Sequence, residues 1–187
     1  MTPSSPIETM SAAVEHPDLR LRRLLAEHAR PLERIAASYA RSLADREDLL
    51  QDFAVALWTA LPGFRGDCSE KTFVLRVAHN RALTFLAKRG PVNEAVEDHE
   101  DSVIASSGKN PAIAYERSER GHRLFAAARA LPLVNRQVVT LLLEGLSHRE
   151  IAEVLGTSEN NVAVRASRAR AALRVLLEEE EREEGRS

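Results

Sequence analysis

Between Gly145 and Leu173 the sequence reads GLSHREIAEVLGTSENNVAVRASRARAAL, which contains two helix starts with a helix stop between them. Ser147 is placed to accept the backbone N–H of Glu150, and Glu150 to reach back to the N–H of Ser147, the reciprocal pattern of a capping box. Ile151, Ala152 and Leu155 follow at helical spacing, and Gly156 supplies a left-handed residue that ends the helix. Ser158 then caps a second helix, on which Val162, Ala166, Ala169 and Leu173 share one stripe. Two helices joined by so tight a turn describe a helix-turn-helix. Outside its apolar stripe the second helix carries Asn160, Asn161, Arg165 and Arg168, with Arg170 and Arg174 further along. Glu159 is the only acid from Ser158 to Arg174. A helical hairpin with a solvated face is the plainer alternative, but such a face mixes its signs. Arginine also outnumbers lysine 23 to 3, and its guanidinium forks onto guanine or phosphate as an ammonium does not.

A formal net charge of −2 looks unsuited to a DNA-binding chain until its distribution is considered. Residues 91–116 carry a net −5 and residues 178–187 a net −4, which leaves +7 on the remaining chain. A basic body with two acidic appendages follows. Most of the first appendage lies within RGPVNEAVEDHEDSVIASSGKNPAI, rich in Pro, Gly and Ser and without periodicity, which reads as a linker. The 187 residues divide accordingly: a disordered N-terminus at 1–17, a helical module at 18–90, a flexible acidic linker at 91–116, a second helical module at 117–177 and an acidic tail at 178–187. The fold class expected is all-α, two small helical domains. Cys68 is the only cysteine, which excludes an intrachain disulfide and a multi-cysteine zinc site. No apolar run approaches membrane-spanning length, and the first residues lack the basic start and apolar core of a signal peptide. A cytoplasmic protein without membrane insertion is expected.

In the first module Leu21, Leu24, Leu25 and His28 form one helical face, and Leu32, Ile35, Ala36, Tyr39 and Leu43 another, with Pro31 in the first turn of the second helix. Asp45 is expected to cap the helix DREDLLQDFAVALWTAL. Leu49, Leu50, Phe53, Leu57 and Trp58 would face inward, and Asp48, Gln51 and Asp52 outward. Helix-dipole stabilisation accounts for carboxylates in a first turn but not for Gln51 and Asp52 beyond it. After a loop, the helix KTFVLRVAHNRALTFLAKR offers Phe73, Val77, Leu83 and Phe85 to the core. It carries five cations, Lys71, Arg76, Arg81, Lys88 and Arg89, and no acid. An acidic helix beside a basic one suggests two different partners for a single module.

DREDLLQDFAVALWTALPGFRG followed by TFVLRVAHNRAL resembles region 2 of the extracytoplasmic-function sigma factors of bacterial RNA polymerase. LPLVNRQVVTLLLEGLSHREIAEVLGTSENNVAVRASRARAAL resembles region 4 of the same family. The two matches occur in order and cover roughly residues 20–177. The resemblance implies a subunit that binds core RNA polymerase, directs it to promoter DNA and assists melting. By that resemblance Asp48, Gln51 and Asp52 bind polymerase. Lys71, Arg76, His79, Asn80 and Arg81 fall on the surface for the minus-ten element. Ser158, Asn160, Asn161, Arg165 and Arg168 fall on the reader of the minus-thirty-five element. An anti-sigma factor is left open as a further partner.

Several positions depart from the family pattern. Phe73 stands where a Trp is common, Leu75 where an aromatic or polar residue is usual, and His79 where a basic residue often sits. In the second helix of the helix-turn-helix, Asn161, Ala163 and Val164 replace a frequent Thr, Lys and Ser. Asn161 can pair bidentately with adenine, as Thr cannot, so these departures bear on promoter sequence more than on function. Cys68 and His79 sit in no catalytic motif, and no phosphate-binding glycine loop or H-E-x-x-H is present, so no catalysis, cofactor or metal is expected. The alternative function is a helix-turn-helix regulator whose N-terminal half senses or dimerises. Such a domain has no need of the paired acidic and basic helices.

Overall fold

A computed structural model describes residues 16–89, 123–124 and 127–184. All regular elements among them are helical. The first module consists of α1 (Pro17–Glu27), α2 (Ala29–Tyr39), α3 (Leu43–Ala60) and α4 (Glu70–Arg89), with a 3-10 turn at Leu61–Gly63 between the last two. The second consists of α5 (Leu133–Leu143), α6 (His148–Leu155) and α7 (Glu159–Glu184), preceded by a helical stretch at 127–130. The expected linker at 91–116, residues 1–15 and the start of the second module at 117–122 lie outside the described residues. The helix of α7 runs on through the acids that follow Leu177, to Glu184.

The caps set the element ends, and one differs from expectation. At α6 the capping box forms in both directions: Glu150 Oε2 accepts the Ser147 N–H at 2.8 Å, and Ser147 Oγ accepts the Glu150 N–H at 3.3 Å. Gly156 sits at φ 61°, in the left-handed region that closes the helix without a Cβ penalty. At α7 Ser158 Oγ accepts the Asn161 N–H at 3.2 Å. At α3 the cap is Ser42, not Asp45. Ser42 Oγ accepts the Asp45 N–H at 3.1 Å, while the buried Asp45 carboxylate accepts the Arg41 N–H at 3.2 Å. The Ser42 hydroxyl satisfies one orphan donor of the first turn while the Asp45 carboxylate fastens the residue before the cap, so the helix opens a turn earlier.

The core of the first module comprises Leu24, Leu32, Ile35, Tyr39, Leu49, Phe53 and Leu57, packed on Phe73, Val74 and Leu75 from α4. Burying each large apolar side chain contributes roughly 1.5–3 kcal/mol. Two expected core residues are exposed instead: Leu43, which opens α3, and Trp58, which is 48% exposed. Successive residues on a helix are rotated by about 100°, so with Leu57 at the centre of the buried stripe Trp58 is carried off it. On α4 the inward set is Phe73, Val74, Leu75, Ala78, His79 and Ala82, while Val77, Leu83 and Phe85 are only partly covered. This helix packs against α2 and α3 on one side and α6 on another, so a single-stripe reading places its core in the wrong register.

The two modules touch. Val138, Leu141, Leu146, Ile151, Ala152 and Val154 join the same apolar cluster as the core of the first module. A second cluster, Ala127, Ala128, Leu131, Val139, Ala169 and Leu173, lies wholly within the second module and seats α7 on α5.

Candidate nucleic-acid interface

The helix-turn-helix is α6 and α7. Val162, Ala166 and Ala169 are fully buried, and small side chains there let the two helices approach closely. The stripe leaves Asn160 and Arg168 exposed and Arg165 half-buried at its edge. The side-chain amide of Asn161 donates to Thr157 Oγ1 at 3.0 Å, which holds it at the first turn of α7. Arg165, Arg168, Arg170 and Arg174 make no ion pair among the described residues. Four guanidiniums on one helix, with no acid among the described residues holding them, form a surface for an external anion.

The five residues expected on the minus-ten surface do not come together. His79 is a correction: it is fully buried and turned away from solvent. Its Nδ1 lies 3.2 Å from the Tyr39 hydroxyl, the two rings meet edge to face, and Nε2 has no hydrogen-bond partner among the described residues. Burial pushes its pKa down to about 4, so the ring is neutral at pH 7. The reason is the register of α4, which turns position 79 inward with Leu75 and Ala82. Arg81 Nη2 donates to Asp52 Oδ1 at 2.8 Å; a cation expected on DNA and an acid expected on polymerase thus pair with each other, joining α3 to α4. The Lys71 ammonium stands 3.5 Å from where a Cβ on Gly145 would lie, beside the turn that enters α6. Arg76, packed over the Phe73 ring, and the exposed Asn80 remain on the open face one turn apart.

That α4 carries no acid holds only for the span from Lys71; the helix begins at Glu70. Glu70 accepts from Arg20 at 2.8 Å and from Arg23 at 2.9 Å, fastening the start of α4 to α1. The hydrogen bond from Arg23, together with Arg20, holds this carboxyl at about 2. Arg20 also lies over Phe64, which stacks on Phe73 at 4.4 Å between centroids.

On α3, Asp48 and Gln51 are exposed and Asp52 is half-exposed. Further along the same outer face stand Val55, 65% exposed, and Trp58, neither of which the sequence reading assigns to a site. Their spacing from Asp48, seven and ten residues, is the signal that places them on its face.

Comparison with known proteins matches this architecture in both halves. The model for sigma-70 region 2 matches residues 24–91, and that for sigma-70 region 4 matches residues 122–173. The RNA polymerase sigma factor NccH of Alcaligenes xylosoxydans xylosoxydans is 30% identical over 159 residues, covering 83% of this chain and 85% of that protein. The ECF RNA polymerase sigma-E factor of Escherichia coli K12 is 29% identical over 158 residues, covering 80% and 82%. Among solved structures, CnrH in complex with the cytosolic domain of CnrY aligns with a TM-score of 0.59 at 27% identity, covering 84% of this chain and 87% of that one. The sigma factor RpoE of Bartonella quintana, in complex with the anti-sigma factor NepR, shares the fold with a TM-score of 0.66 at 21% identity, covering 85% and 97%. The chain belongs to the extracytoplasmic-function branch of the sigma-70 family. It is a non-enzymatic sigma factor that directs RNA polymerase to promoters, and the reading of its first half as a sensor or dimerisation domain gives way to region 2.

Proposed function

We propose that the parts of this sigma factor divide the work as follows. The second module, 117–177, reads the minus-thirty-five element through α7, which enters the major groove with Ser158 and Asn160 at its leading end. Asn161 and Arg165 lie nearest base edges, and Arg168 meets the phosphate backbone. The first module, 18–90, engages the minus-ten element through the open face of α4, on which Arg76 and Asn80 are the contact residues. Lys71 and Arg81 stand at the margins of that face, Arg81 paired with Asp52 and Lys71 beside the turn at Gly145. Asp48, Gln51 and Asp52 on α3 dock on core RNA polymerase, and Val55 and Trp58 extend that docking surface into an apolar end. The observation that carries this division is the row of arginines on α7 that make no ion pair among the described residues, opposed to the paired ones of the first module.

The structures of CnrH and RpoE each hold a bound partner, and we include an anti-sigma factor among the partners of this chain. Its polymerase partner places its work in the cytoplasm; no described helix is long and apolar enough to cross a membrane.

The polymerase surface is tested with Asp48→Arg, which spares the Asp52–Arg81 pair, combined with Trp58→Ala. Charge reversal against a basic partner and loss of an exposed aromatic anchor together should weaken core binding by about 2–5 kcal/mol. Helicity should be unchanged. Wild-type affinity for core polymerase in the folded double variant would remove α3 from the interface.

A further inference from the structure

Val164 belongs to neither apolar cluster. It is 42% exposed, on a part of α7 that otherwise presents asparagines and arginines to solvent. A lone exposed valine is ordinary on a protein surface; the place of this one on its helix is not. At about 100° per residue, the buried residues Val162, Ala166, Ala169 and Leu173 lie about 140–200° around the axis from it. Val164 therefore points directly away from the seam that α7 makes with α5 and α6. The exposed Asn160 and Arg168 flank it at about 40° to either side, one turn before and one turn after. Arg165 is about 100° away, half-buried at the margin. The centre of the outer face is thus apolar and short, and its polar groups stand around the edge.

In a major groove about 12 Å wide, the side of a recognition helix opposite its seam faces the base pairs, and longer side chains at the margins reach out to base edges and phosphates. Valine has neither a donor nor an acceptor to offer there. A polar base atom set against it loses water without gaining a partner, which costs free energy. The one apolar group that base pairs display in this groove is the C5-methyl of thymine. A protein surface apolar enough to cover Val164 would instead desolvate Arg165 and Arg168 beside it, and no acid among the described residues pairs with either. Thymine in a phosphate-lined groove satisfies the valine and the arginines together.

Resting on the assignment of α7 to the minus-thirty-five element, we propose that Val164 is a specificity determinant of that element, seated against the C5-methyl of one thymine and selecting T·A at that position. Burying one methyl group changes affinity roughly fourfold by ordinary area scaling. A second exposed valine supplies an internal comparison. Val175, 53% exposed, lies only about 20° around the axis from Val164. It stands eleven residues further on, about 16 Å along the helix and past the N-terminal turns that enter the groove. Two valines of like chemistry on one helical line thus differ in whether they reach a base.

The test removes the methyl group and nothing else. A promoter library randomised at the minus-thirty-five element, selected with the full chain on core polymerase, gives the preferred sequence. Each thymine of that sequence, on either strand, is then replaced in turn by uracil, which pairs identically but lacks the C5-methyl. The wild type should bind one of the uracil promoters roughly three- to fivefold more weakly than its thymine parent. Val164→Ala should bind the two alike and show a flattened preference at that position. Its salt slope should match the wild type, since no phosphate contact is lost, and alanine in place of an exposed valine keeps the helix. Val175→Ala should retain the full uracil penalty. The proposal is overturned if no thymine shows a methyl effect in the wild type, if the penalty persists in Val164→Ala, or if Val175→Ala abolishes it equally. A preference that Arg165→Ala narrows while every uracil is tolerated refutes Val164 alone and leaves α7 as the reader. Absence of any base preference in the wild type overturns both.

Discussion

Two basic stretches, α4 and the part of α7 up to Arg174, look alike in sequence and behave differently in the fold. Both mix arginines with alanines and leucines. On α7 the buried side is a narrow stripe of small residues, and Arg165, Arg168, Arg170 and Arg174 around it meet no acid among the described residues. On α4 the surroundings claim much of the helix: His79 is drawn into the core, Arg81 is held by Asp52, Glu70 binds Arg20 and Arg23, and Lys71 borders the second module. A run of cations therefore forms a surface in one case and a joint in the other. A helix covered on one side keeps its charges for a partner, whereas one wedged between neighbours commits them to internal contacts.

This contrast can be broken at the seam of α7 first. Ala166 is fully buried where α7 crosses α6, and Ala166→Glu should destabilise the second module by several kcal/mol, since an unpaired carboxylate has no compensating partner there. Chemical denaturation should show it as an earlier transition; an unshifted midpoint would mean that the seam is open to water. The buried ring of α4 gives the next effect. As pH falls, the unfolded chain protonates its histidine near the ordinary 6.5 while His79 in the fold resists to about 4. Stability is thus intact above about 6.5 and is lost as pH drops toward 4, by up to about 1.4 kcal/mol per pH unit. Glu70 and Glu150, both held at about 2, add a loss between the ordinary carboxylate value of 4.5 and about 2. In His79→Gln the upper limb should flatten and the lower one persist; identical profiles for wild type and variant would show that His79 is not the group. The smallest effect belongs to Arg81→Ala. Removing a half-exposed ion pair should cost about 0.2–1 kcal/mol in melting experiments.

Much of α6 and α7 is legible in the amino-acid sequence, because the information there is local. The capping box, Gly156, the Ser158 cap and the alanine stripe each act within one or two turns, and each takes the expected form. What the sequence does not reveal is decided by neighbours remote in the chain. The periodicity of α4 points to Phe73, Val77, Leu83 and Phe85; Phe73 is buried, but α2, α3 and α6 cover the helix from more than one side, bury Val74, Leu75 and His79 as well, and leave the other three only partly covered. Asp45 is a good capping residue and suggests a helix start, yet Ser42 lies three residues upstream and accepts its N–H. No pattern in the chain announces that Arg34 meets Glu144, since neither residue is unusual on its own helix. Local rules give caps and stripes; which charges remain free depends on tertiary partners.

The central claim is that α7 is the reader, and transcription from a promoter library randomised at the minus-thirty-five element addresses it most directly. Wild type, Arg165→Ala and Arg168→Ala are each combined with core polymerase and assayed at two salt concentrations. Arg165→Ala should lose about 1–3 kcal/mol of discrimination at a single base position while preferences elsewhere stay as in the wild type. Arg168→Ala should weaken all sequences alike and reduce the slope of log affinity against log salt by about one unit. Unaltered base preference and salt slope in both variants would contradict the assignment of α7 to the promoter.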